Sequence, residues 1–110
     1  MSKMIELVLS GPEYERNIPG TTTTRNCRKD ELEFLEMLLT IGFSGEKNLK
    51  EAVVYIDLLD ELKNVGPEDG KISYSADDIK RLQDAYSKMA QKNPVIMITV
   101  ADLIKQLAKA

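Results

Sequence analysis

The side chains of this chain that could do chemistry are its carboxylates, one thiol (Cys27) and a short run of cations, Arg16, Arg25, Arg28 and Lys29. Histidine is absent, and with it the side chain most used for proton transfer near neutral pH and for binding metals. Cys27 stands beside Arg28 and Lys29, an electropositive setting of the kind that lowers a thiol pKa. There is no histidine to serve as its base and no second cysteine to resolve a disulfide, so it reads as a free thiol and not a nucleophile. Asp77 with Asp78, and Asp57 with Asp60 or Glu61, are the obvious carboxylate pairs. An acid/base pair needs opposed groups in a cleft that shifts their pKa values. Neighbouring acids on helix surfaces offer neither.

Asp69-Gly70-Lys71-Ile72 invites a test as a calcium loop. With Gly70 at the sixth position, Val65 falls at the first, Pro67 at the third and Ala76 at the twelfth. Calcium requires a cage of oxygens with carboxylates at both ends, and Asp69 alone fits. The segment reads instead as a turn leading into a strand. Arg16, Arg25, Arg28 and Lys29 surround four threonines, Thr21 to Thr24, a set able to contact phosphates. The only local glycine is Gly20, and Tyr14 is the only nearby aromatic for stacking on bases. No catalytic residue, cofactor or metal is expected.

The elements that must position these groups fit one domain of 110 residues. A 43% hydrophobic fraction is enough to fill a core, and 30% charged residues keep the surface solvated. The net charge of −3 is unevenly placed: +2 over 1–29, −8 over 30–70 and +3 over 71–110. The acidic middle favours a basic partner over nucleic acid. With one cysteine, no leader-like start and no apolar run, Val95 to Ile98 included, long enough to span a bilayer, the expectation is a cytoplasmic protein that does not enter membranes.

The expected fold class is α+β: four helices, including a helical hairpin, with a small sheet of short strands. The alternative is a mostly α domain with a disordered N-terminal arm. Met4 to Leu9 reads as a strand, and residues 13–18 as a second strand returning beside it. Residues 10–29 otherwise form a long loop. The first helix is expected from Asp30, capped by Asp30 with Glu33, ending at Gly42 with Phe43 folded back on Leu38. Ser44 is the expected cap of the second helix, with Leu49, Ala52, Val53, Ile56, Leu59 and Leu62 on its inner face and Gly66-Pro67 as its stop. Ile72 to Ser75 and Ile96 to Thr99 read as extended pieces that could pair, each feeding a capped helix. These helices span about Ala76 to Gln91 and Val100 to Lys109, parted at Asn93-Pro94.

The first helix carries more apolar side chains than one buried face needs. Phe34, Met37, Leu38 and Ile41 are therefore the expected protein interface, on the reading that another polypeptide covers them. The function that follows is a non-enzymatic protein–protein interaction module: an adaptor, an inhibitor or a component of an oligomeric assembly. Small domains of this composition occur in phage and other mobile elements. The partner is a protein or a second copy. Two alternatives are a nucleic-acid binder using the basic loop at 16–29, and a carboxylate- and metal-dependent enzyme.

Overall fold

A computed structural model describes residues 3–89, the backbone of 94–96 and all of 97–110. The fold is α+β, with five helices and two small antiparallel sheets. In the first sheet, β1 (Met4–Val8) pairs with β4 (Lys71–Ser75), placing Ile5 opposite Tyr74 and Leu7 opposite Ile72. Strand side chains alternate, so these four share one face, and Leu7 and Tyr74 are sealed against the helices. The Leu9 amide donates to Gly70 O, so the backbone of Val8 points to the other edge of β1. There Gln106 donates to Val8 O (2.9 Å) and accepts from Val8 N (2.7 Å).

The second sheet corrects the expected pairing around residues 13–18. β2 (Glu15–Asn17) pairs with β3 (Thr24–Asn26) and not with β1. Gly20, at φ 80°, takes the left-handed conformation in the connection. The supposedly long loop is thus largely a hairpin. It is held by the Cys27 amide on Tyr14 O and the Asn26 side-chain amide on Pro12 O.

Helix α1 (Cys27–Ser44) begins before Asp30, because Asn26 is its cap and accepts from the Lys29 amide. It is the central helix, packed on α2 (Leu49–Lys63), α3 (Ala76–Ser87) and α4 (Pro94–Thr99). Gly42 is not a terminating residue. It is buried in the helix against the Tyr55 ring of α2, where a Cβ would come within 2.4 Å of Cε1. The helix instead ends at Gly45, and Phe43 is exposed. Asn48, not Ser44, caps α2 by accepting from the Lys50 and Glu51 amides.

Ser75 caps α3 through the Asp78 amide, as its sequence implies. That helix stops at Ser87, short of Gln91. Gln91 and Asn93 lie outside the described residues. Residues 96–99 are helical and not extended, so no ribbon forms with 72–75. Thr99 does not cap α5 (Ala101–Lys109): the cap residue is Val100, and the Thr99 hydroxyl donates to Asp30. Leu103 and Leu107 of α5 complete the core on one side.

Candidate protein-interaction surface

The four residues of α1 expected at an interface do not share an exposure. Phe34 (1% exposed) and Leu38 (0%) are core residues, and Phe34 meets the Tyr86 ring edge-on at 6.3 Å. They are removed from any surface patch, because α2, α3 and α4 surround α1 on enough sides to absorb most of its apolar residues. Met37 and Ile41 are half-buried and line an open groove of about 450 Å³ with Glu33, Glu36 and Thr40.

The larger apolar surface lies on α2. Leu49 is 82% exposed, Val53 48% and Ile56 43%. At i, i+4 and i+7 they form one stripe. Tyr55, Leu58 and Leu62 are buried in the core. At about 100° per residue these two sets lie roughly opposite each other. The helix is therefore apolar on both sides, and the expected inner face is the outer one: of that set Leu62 alone is buried, with Ala52 and Leu59 half-buried. The register is fixed by Tyr55, the one α2 side chain that lies over the bare Cα of Gly42. The Glu51–Arg81 ion pair, with Nε and Nη2 donating at 3.0 Å, holds the same inward side against α3.

Exposed Lys50 and Asp57 border the stripe, while Asp60 extends it toward the C-terminus; all are solvent-facing. Among the described residues none of the three takes part in an ion pair. Leucine at an exposed helix start and aliphatics in mid-helix are individually ordinary. Three of them in a row on the solvent side of one helix make a continuous exposed apolar strip.

The basic residues at 16–29 are mostly engaged within the molecule. Arg28 is buried and donates to the carbonyls of Gly66 and Pro67. Arg25 grips Asp30 through Nε and Nη2, both at 2.9 Å, and this contact holds the Asp30 carboxyl below its usual range. Arg16 donates to Ile98 O at 3.1 Å. Lys29 is exposed. Cys27 is sealed in the interior, and burial pushes its thiol pKa up, opposite to the lowering its basic neighbours suggest.

Glu31, 1% exposed, accepts from the Ser10 amide at 2.7 Å and the Ser10 hydroxyl at 2.8 Å. Burial raises its carboxyl pKa, with the Ser10 hydrogen bonds opposing. These contacts fasten the chain leaving β1, at Ser10, to α1.

Asp69 accepts from the Gly66 amide at 2.8 Å, which makes it a turn residue. Asp78 pairs with Arg81 on its own helix. Among the described residues no group of three or more potential ligands could hold a metal ion, and no helix is long and apolar enough to cross a membrane. A cleft of about 130 Å³ lies between α3 and α5, lined by Gln83, Tyr86, Ile104, Leu107 and Ala108. It is smaller than the roughly 300 Å³ at which small-molecule pockets begin.

The chain matches no model of a known protein family, no curated protein and no solved structure.

Proposed function

We propose that this chain is a non-enzymatic protein–protein interaction module, a component of an oligomeric assembly, and that α2 supplies its principal contact surface. The observation that carries this reading is the exposed stripe Leu49, Val53 and Ile56 on a helix whose opposite side is already satisfied by the core. Contact surfaces concentrate apolar side chains that the protomer does not need for its own packing. Met37 and Ile41 on α1 form a lesser patch of the same kind. The reading places the protein in a reducing, cytoplasmic compartment, which suits one unpaired thiol.

The test is a photo-crosslinking amino acid introduced at Val53 in the native host, with a second at exposed Lys105 of α5 as control. A discrete protein adduct from position 53, absent from the control, is the expected result. Absence of any protein adduct from position 53 in a folded protein would overturn the reading.

A further inference from the structure

We infer that the stripe on α2 docks against the same stripe of a second copy of this chain, with the two α2 helices antiparallel. The inference rests on the interaction-module reading and names its partner. Leu49 and Ile56 are seven residues apart, with Val53 between them. A two-fold axis passing between Ala52 and Val53 therefore sets each Leu49 against the other copy's Ile56 and leaves the two valines one residue from level beside the axis. Two-fold contacts are isologous: what one copy offers, the other receives.

The charges beside the stripe have the same spacing. Lys50 and Asp57 are also seven residues apart, two turns along one flank, separated by about 10.5 Å of helix rise. In antiparallel helices like flanks meet. The axis that matches Leu49 to Ile56 thus brings Lys50 within two residues, about 3 Å of helix rise, of the opposing Asp57, twice over. A parallel arrangement joins unlike flanks, so Lys50 and Asp57 of the two copies would lie on opposite sides of the seam and lose this pairing. The charge order along α2, basic first and acidic later, selects the antiparallel form.

Sedimentation velocity of the full chain over a concentration series up to about 1 mM is the deciding measurement. The expected result is a monomer–dimer equilibrium. Val53→Asp at the centre should weaken the dimer more than about 100-fold. Leu49→Asp should also weaken it strongly, and an aspartate is favourable at a helix N-terminus, so this variant keeps the fold. Lys50→Glu and Asp57→Lys should each weaken the dimer about tenfold, and the double exchange should return it to within about threefold of the native value.

A wild-type chain that stays monomeric throughout overturns the inference, as does a dimer indifferent to Val53→Asp and Leu49→Asp. If the chain is monomeric while the position-53 crosslinker captures a different protein, self-docking fails and the interaction-module reading stands. If it captures nothing, both fail.

Discussion

The N-terminal hairpin with its anchor on α1, and the outer side of α2, break the usual burial rule in opposite directions. In the first region, charged side chains lie inside: Glu31, Asp30 and Arg28 are all buried. In the second, aliphatic side chains lie outside. The difference is one of partners. Each buried charge is met by donors or acceptors from outside α1: Ser10 for Glu31, Arg25 and Thr99 for Asp30, and the Gly66 and Pro67 carbonyls for Arg28. Burying a charge is tolerable when its hydrogen bonds are supplied. The α2 aliphatics have no such intramolecular answer, since the core already fills the other side of their helix. One region is satisfied by contacts within the chain, and the other leaves apolar side chains exposed.

The sharpest way to break this contrast is to place one charge on either side of α2. Leu58→Asp, which puts a carboxylate into the core, should cost more than about 4 kcal/mol and abolish the cooperative thermal transition. A folded Leu58→Asp protein would mean that the two sides of α2 have been assigned the wrong way round. At the start of α1, Glu31→Ala should cost about 2–3 kcal/mol by denaturant titration, because the Ser10 amide and hydroxyl lose their acceptor. A change below experimental error would show that Ser10 finds another partner.

Gly42→Ala should cost about 1–3 kcal/mol by forcing a methyl group into the Tyr55 ring. Combined with Tyr55→Ala, the loss should be smaller than the sum of the two single changes. Strict additivity would refute the contact.

A smaller effect concerns pH. The raised Glu31 pKa means that its stabilising contribution is complete below the ordinary carboxylate value of about 4 and is lost as pH rises through the folded value. Asp30, held low by Arg25, contributes the reverse: stability present above about pH 4 and lost as pH falls. Melting temperatures from pH 3 to 7 should therefore show Glu31→Gln gaining on the native chain as pH rises, and Asp30→Asn losing ground over the same range. Curves parallel to the native one would contradict both assignments. The smallest effect belongs to Val53→Asp, which should change monomer stability by no more than about 0.5 kcal/mol despite its consequence for association. A large loss would move Val53 into the core.

Much of the architecture was legible in the residues. The Ser75 cap of α3, the break at Gly66-Pro67 and the strands at 4–8 and 71–75 all follow from local grammar. What was not legible depended on contacts between distant segments. Asp30 resembles a helix cap, but Arg25 and Thr99 claim its carboxylate and Asn26 caps in its place. Gly42 resembles a terminator until Tyr55 is set across from it. Residues 96–99 are apolar and β-branched enough to suggest a strand, yet they lie helical against α1. Helical spacing picked out the stripe on α2 but set it inward and put the expected interface on α1, because periodicity alone cannot say which of two apolar arcs a helix turns inward. The signal was the second arc itself, Tyr55, Leu58 and Leu62, with its larger side chains.

Gln106 gives this molecule a property that its composition would not suggest. By offering one amide group to both the N–H and the C=O of Val8, it stands in for a neighbouring strand at the margin of the β1–β4 ribbon. A passing extended peptide finds those hydrogen-bonding positions already taken. Growth into sheet-like aggregates is therefore blunted at this point of the β1 edge.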